Sequence, residues 1–186
     1  MSADPETRCT AFDGHRRIAS GPLSEVAPRV RAELDARPNA SVMIFADDDS
    51  QRIDVDLRGT VAEVAARVAP AEKGPGRPKL GVVPREVTLL PRHWEWLSAQ
   101  AGGASVALRR LVEAARKDPR EQARFARDAA FRFTSLLAGN APGFEEAMRA
   151  LYAGDRAAFE VHTAAWPPDV RAHALAIAAP GLGDVS

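Results

Sequence analysis

The chain has 186 residues, 46% of them hydrophobic, a length that fits one compact domain or two small ones with a real core. Its one cysteine, Cys9, stands outside any CxxC or Cys/His spacing, which argues against a disulfide framework and against a zinc scaffold. The formal net charge of zero argues against nucleic acid only if the charge is spread evenly along the chain.

The charge is in fact segregated. Residues 73–120 hold ten lysines and arginines against four acidic residues, a balance of +6. Residues 1–72 have a balance of −4 and residues 121–186 one of −2. The middle of the chain therefore carries a local positive field, which favours a polyanionic partner.

Neither end of the chain resembles a targeting or membrane segment. The opening residues, MSADPETR, carry acids and a proline where a signal peptide has a basic start and an apolar run. The longest apolar stretches, such as residues 172–180, are too short to span a bilayer. We expect a soluble cytoplasmic protein without a membrane partner.

The first elements predicted are a β-hairpin and a helix. Residues 8–12 and 16–20 are β-compatible and flank an Asp-Gly pair, which supplies the positive φ angles of a tight turn. Apolar residues at helical spacing follow, with Ser24 as a candidate N-cap and Pro38 beyond the end of the helix.

The same order recurs further on. Residues 41–46 and 51–57 predict a second hairpin, and Thr60 is placed to cap a helix that runs to Val68. The segment Leu-Ser-Glu-Val-Ala-Pro-Arg-Val is echoed by Val-Ala-Glu-Val-Ala-Ala-Arg-Val. Residues 1–70 are therefore predicted to be an acidic, duplicated ββα domain with a four-stranded sheet and two helices on one face.

Residues 71–84 form a predicted basic linker rich in glycine and proline. Within it, Gly-Arg-Pro-Lys at residues 76–79 is similar to the core of an AT-hook. The resemblance implies that Lys73, Arg77 and Lys79 contact the narrow minor groove of A/T-rich double-stranded DNA. The alternative is a linker whose composition has no such role.

Residues 85–117 predict a strand, a helix, a glycine turn and a second helix. The strand covers residues 85–90, Pro91 is suited to the first position of a helix, and Gly102-Gly103 permits its left-handed closure. Ser105 is a candidate cap of the second helix, whose predicted buried stripe is Leu108, Leu111, Val112 and Ala115. A lone strand would pair most simply with its copy from a second chain.

This order resembles the ribbon-helix-helix domain, the dimeric fold of Arc- and MetJ-type repressors. The resemblance implies a two-stranded ribbon in the major groove and a phosphate held by the amides that open the second helix. The DNA contacts that it implies are Arg85, Thr88, Arg92, Gly103, Ala104, Ser105, Arg109 and Arg110. The predicted dimer interface is Val87, Leu89, Trp94, Trp96, Leu108 and Leu111.

The strand leaves two registers open. Its alternating faces are Arg85, Val87 and Leu89 on one side, and Glu86, Thr88 and Leu90 on the other. Either the first face points outward, or Thr88 does while Val87 and Leu89 are core. The charge pattern thus predicts attachment to DNA, whereas the strand does not predict reading of base sequence.

The two tryptophans, Trp94 and Trp96, cannot share one buried face, because positions two apart on a helix lie about 200° apart around its axis. Packing at an interface is preferred to base stacking for the exposed one, since tryptophan is a common interface anchor.

Residues 118–186 are predicted to be helical. The first helix shows an apolar face and ends near Gly139; its face comprises Phe125, Ala129, Phe133, Leu136 and Leu137. Shorter helices are predicted at residues 144–152, 155–165 and 168–178. We interpret the region as a helical cap or dimerisation region.

No feature predicts an enzyme. The four histidines lack ligand-like spacing, and GxSxG, GxGxxG and GxxxxGK motifs are absent from the sequence. We expect no catalytic residue, metal or cofactor.

Over nearly its whole length the chain resembles a bacterial family known as domain of unknown function 2239, most clearly in residues 76–83 and 85–97. The resemblance implies kinship without an activity. The sequence therefore predicts an α+β, homodimeric DNA-binding protein, a transcriptional regulator or nucleoid-associated factor, whose N-terminal domain is a regulatory or partner-binding module. The alternative is a non-enzymatic interaction adaptor in which the strand-helix-helix unit serves only for dimerisation.

Overall fold

The computed structural model describes residues 4–70 and 85–183, so the predicted basic arm with Lys73, Arg77 and Lys79 lies outside the described residues. The elements, in chain order, are β1 (Arg8–Asp13), β2 (Arg16–Pro22), α1 (Leu23–Ala36), β3 (Val42–Ala46), α2 (Val61–Arg67), α3 (Pro91–Ser98), α4 (Gly103–Lys117), α5 (Pro119–Leu137), α6 (Phe144–Ala153), α7 (Arg156–His162) and α8 (Pro168–Ala178). A short 3-10 turn, Ala179–Gly181, follows α8. The predicted mixed α+β class is confirmed.

The chain forms two compact units. Unit 1 comprises residues 1–70 and 122–186, and unit 2 comprises residues 71–121. Unit 1 contains the sheet, which is antiparallel with the strand order β2-β1-β3. The predicted first hairpin is present, and Gly14 at its turn has a φ of 55°, as an Asp-Gly turn requires.

The predicted fourth strand is wrong for the described sheet, which has three strands. Residues 51–57 contribute one isolated bridge, between Arg52 and Phe45, and one further backbone bond from Ile53 to Ile44. The alternating apolar residues Ile53, Val55 and Leu57 pack instead as half-buried side chains against the α1/α2 core. The alternating apolar residues of 51–57 are therefore half-buried although the segment forms no regular strand. The second predicted ββα unit thus lacks one of its two strands.

The two N-terminal helices begin differently. Ser24 is not the N-cap of α1, which begins one residue earlier with Pro22 in extended conformation before it and no side-chain cap. Thr60 does cap α2 as predicted: its hydroxyl accepts the Glu63 amide at 3.3 Å, and Glu63 Oε2 accepts the Thr60 amide at 2.7 Å. This reciprocal pair is a capping box.

The sheet of unit 1 has a core on each face, because successive side chains of a strand point to opposite sides. On one face Cys9, Ala11 and Ile44 pack with α1 and α2. On the other, Phe12 and Phe45 pack with residues of α5, α6, α7 and α8. Residues 122–183 therefore share a core with the N-terminal sheet, where the sequence placed a separate helical region.

The predicted buried face of α5 is partly wrong. Ala129, Phe133 and Leu137 are buried, but Phe125 is 56% exposed and Leu136 is 51% exposed. The core face of α5 is rotated away from these two residues, which lie eleven positions apart and hence on one side of a helix. The last predicted helices are present, although α7 ends at His162.

Among the described residues, no helix has both the length and the apolar character needed to cross a membrane.

Candidate nucleic-acid interface

The first helix of unit 2 starts where the sequence predicts. Pro91 is the first residue of α3, after Leu90 in extended conformation at φ −65° and ψ 149°. An N-terminal helix residue has no intrahelical partner for its amide, so the missing N–H of proline costs nothing there. Leu97 of the same helix is buried, and α3 packs on α4.

The glycine turn between α3 and α4 is confirmed, but the predicted serine cap is wrong. Gly102 and Gly103 have φ angles of 85° and 74°, and a Cβ on Gly102 would lie 3.0 Å from Val106 Cβ. The turn thus needs glycine for both angle and space. Because α4 begins at Gly103 with Gly102 as its N-cap, Ser105 lies inside the first turn, where its carbonyl accepts the Arg109 Nε–H at 3.1 Å.

The predicted ribbon segment, residues 85–90, pairs with no strand of the described chain. Arg85, Thr88 and Val87 are exposed, and Leu89 is half-buried. A two-stranded ribbon of this kind is completed by a second chain, so its pairing and its outward face stay predictions.

The predicted buried stripe of α4 is largely uncovered in the single chain. Leu111 is 46% exposed, Val112 is 55% exposed, and Ala115 is exposed as well. Leu108 is half-buried, and Ala107 is the residue of α4 that is buried. We call Leu108, Leu111, Val112 and Ala115 the α4 stripe. The prediction that the α4 stripe is buried is wrong for the single chain. The stripe would be buried only if another surface covered it.

The tryptophans of α3 add to this apolar surface. Trp94 is 39% exposed and Trp96 is 51% exposed, so neither is buried by the single chain. Among residues 85–121, only Leu97 and Ala107 are buried. The described part of unit 2, with so few buried residues, is not expected to be stable by itself.

Three of the basic side chains of α4 lie away from the stripe. At 100° per residue, Arg109, Arg110 and Lys117 fall about 60–120° from the nearest stripe residue around the axis, whereas Arg116 follows Val112 by four residues and borders the stripe. All four are exposed. Arg116 pairs with Glu113 at 3.3 Å, and Arg110 Nη2 donates to Gln100 Oε1 at 3.4 Å. The Arg110 contact is one long hydrogen bond at the surface, and it leaves that guanidinium group in reach of an anion.

The other predicted contacts are less concentrated. Arg85, Thr88 and Arg92 are exposed, whereas Gly103 and Ala104 are half-buried at the start of α4. Within the described residues the structure brings together Ser105 and Arg109, and it places Arg110 on the same helix. Among residues 4–70 and 85–183, no three His, Cys, Asp or Glu side chains are grouped so that they could hold a metal ion.

Two features of unit 1 carry no motif. A cleft of about 670 Å³ lies where the C-terminal turn of α5 meets His15 and Pro167. His173, one of the four histidines without ligand-like spacing, is buried against aromatic rings. No local pattern marks either one, because both depend on residues distant in sequence.

The structure thus defines a mixed α+β protein that combines a large unit around a three-stranded sheet with a small unit whose helices bear exposed apolar and basic residues. The chain belongs to the family described as an uncharacterised protein conserved in bacteria, DUF2239, whose model matches residues 8–178. The kinship predicted from residues 76–97 is confirmed. No curated protein and no solved structure matches the chain.

Proposed function

We propose that the protein binds double-stranded DNA as a homodimer through unit 2. The observation that carries the proposal is the division of α4 into an uncovered apolar stripe and an exposed basic side. The first supports assembly with a second copy, and the second supports contact with phosphate. A transcriptional regulator or nucleoid-associated factor is the class of protein that such a unit serves.

The case for a second copy rests on the missing core. Leu111 and Val112 expose about half of their surface, and both tryptophans of α3 are exposed. Burying large apolar side chains is worth about 1.5–3 kcal/mol each, so an uncovered set of this size favours association. A two-stranded ribbon from residues 85–90 of both chains would pair the backbone of that segment and bring Val87 and Leu89 into the same interface.

The case for DNA rests on charge. Residues 73–120 carry the balance of +6 in a chain that is neutral as a whole. A dimer would double this charge on one assembly and place two copies of Arg109 and Arg110 on it. The basic arm, with Lys73, Arg77 and Lys79, would add minor-groove contacts in A/T-rich duplexes.

Salt dependence tests the proposal. Fluorescence anisotropy of a labelled duplex should show binding at low salt, with log K falling linearly as log salt rises. Arg109→Ala and Arg110→Ala should each weaken binding and lower the salt slope by about 2, because each substitution removes one phosphate contact from both chains of the dimer. Arg149→Ala, an exposed arginine of α6 in unit 1, is the matched control and should leave the slope unchanged.

The alternative is a protein-interaction adaptor that uses the same stripe only to dimerise. It predicts dimers without DNA binding, so a duplex that stays unbound at low salt overturns the DNA proposal. Leu111→Asp places a charge on the stripe and should shift the assembly to monomer in analytical ultracentrifugation under both readings. If Leu111→Asp leaves a stable dimer, the stripe is not the interface.

A further inference from the structure

In unit 1, α8 meets the sheet through two polar side chains one helical turn apart, Asp169 and His173. Asp169 Oδ2 accepts the backbone N–H of Arg17 at 2.9 Å. Arg17 belongs to β2, an edge strand of the described three-stranded sheet, and the outward N–H groups of an edge strand face no further strand of that sheet. The carboxylate therefore ties α8 to the sheet edge, and His173 enters the core beside that tie.

The imidazole of His173 is enclosed by aromatic rings. Its centroid lies 4.6 Å from that of Phe133 on α5 and 5.3 Å from that of Phe12 on β1, and the residue is 9% exposed. One side chain thus joins α8, α5 and β1. Its Nε2 is buried and has no hydrogen-bond partner among the described residues. A neutral ring fits such a site, whereas a charged ring with a buried, unpaired donor does not.

The charged groups around the ring do not reverse this preference. Burial is the largest influence and lowers the pKa of His173; Asp47 after β3 opposes it, and Arg17 on β2 adds to it. Asp47 is itself engaged, since its Oδ1 accepts the Thr10 hydroxyl at 2.8 Å. On α5, Arg132, which precedes Phe133 in the sequence, donates its Nε–H to the Asp49 carbonyl at 2.8 Å.

We propose that α8 is held to the sheet by an acid-sensitive latch, in which protonation of His173 frees its ring from Phe12 and Phe133 and lets α8 open locally. The open form exposes the aromatic face of the sheet and releases the β2 edge at Arg17. The latch belongs to unit 1 and does not depend on DNA binding by unit 2.

The direction of the pH effect follows from proton linkage. A histidine whose folded pKa is depressed binds fewer protons when closed than when open. The latch is at full strength above the ordinary histidine pKa of 6.5 and weakens as the pH falls below it, until the folded pKa is reached. Inside that window the opening constant rises by up to about tenfold per pH unit.

Hydrogen exchange of the full chain between pH 5 and 8 tests the latch. At each pH the α8 amides of the native chain are compared with those of His173→Phe, which keeps a ring but cannot titrate, so that intrinsic exchange cancels. The native protein should lose α8 protection relative to the variant by up to about tenfold per pH unit below 6.5. His15→Gln, which removes an exposed histidine of the β1–β2 turn, should behave like the native chain.

A ratio that stays constant with pH overturns the proposal. If His173→Phe fails to fold, His173→Gln takes its place. The Cε1–H resonance of His173 in the native protein provides a readout without any variant: titration below the ordinary histidine range supports the latch, and titration at about 6.5 overturns it.

Discussion

Replacing Phe133 by alanine should destabilise unit 1 far more than replacing Phe125, although the sequence places both on one apolar face of α5. Phe133 is fully buried, with ring centroids 5.2 Å from those of Phe12 and Phe45. Its loss leaves a cavity that three elements cannot close, and buried Phe→Ala changes cost about 3–5 kcal/mol. Phe125 is 56% exposed, and the Arg124 guanidinium lies 4.8 Å from its ring centroid. Its removal should cost about 1 kcal/mol, from partial burial and a weak cation–π contact.

Urea unfolding measures the difference. Trp166 is 3% exposed in unit 1, so its fluorescence in a Trp94→Phe, Trp96→Phe background reports that unit alone. With a slope of about 2 kcal/mol/M, a loss of about 3 kcal/mol lowers the urea midpoint by about 1.5 M. Phe125→Ala should lower it by about 0.5 M. Equal midpoints for the two variants would refute the assignment of the α5 core face.

Three further predictions concern residues 1–70. Thr60→Ala removes half of the capping box of α2 and should cost about 1 kcal/mol in urea unfolding; Ser24→Ala, at a serine that caps nothing, should cost less than about 0.5 kcal/mol. Burial, with Asp47 nearby, raises the pKa of the Cys9 thiol to about 11. A thiol reagent at pH 8 should therefore modify Cys9 only as fast as the protein unfolds, and immediate labelling of the folded protein would contradict this. Ser50 is buried and has a φ of 56°, in the left-handed region that a Cβ disfavours. Ser50→Gly should therefore be about 0.5–1 kcal/mol more stable than Ser50→Ala in urea unfolding. The reverse order would show that the backbone at this position is not strained.

The elements that the sequence predicts correctly are those set by short-range geometry. The Asp-Gly turn, the capping box at Thr60, Pro91 at the start of α3 and the Gly102-Gly103 turn each depend on residues within one turn of one another. Backbone angles and local hydrogen bonds decide such features almost without regard to the rest of the fold.

The wrong predictions concern elements whose structure depends on contacts with residues distant in the sequence. Residues 51–57 alternate as a strand does, but α1 and α2 offer their apolar side chains a buried surface without a full ladder. On α5, the buried face is the one that meets Phe12 and Phe45, more than eighty residues earlier in the chain. Periodicity alone gives the width of an apolar face but not its partner, so it wrongly predicts that Phe125 and Leu136 are buried.

The candidate site is subject to the same limit. The sequence identifies the α4 stripe from its spacing, but spacing does not say whether the covering surface belongs to the same chain. Ser105 has the right chemistry for a cap, yet the N-cap of α4 is Gly102, three residues earlier. The positive balance of residues 73–120 follows from charge counting, which needs no tertiary information.

Because unit 1 buries most of the large apolar side chains, substitutions on the surface of unit 2 can change binding or assembly with little effect on the folding of unit 1. Unit 1 buries large aromatic side chains on one face of its sheet and aliphatic ones on the other, so most of the folding free energy that burial supplies resides there. Exposed positions of α4 such as Arg109 and Arg110 contribute little to that energy. A loss of DNA binding on their substitution therefore reports on the surface itself. A charge at Leu111 acts on assembly, because that side chain has little core in its own chain to disrupt.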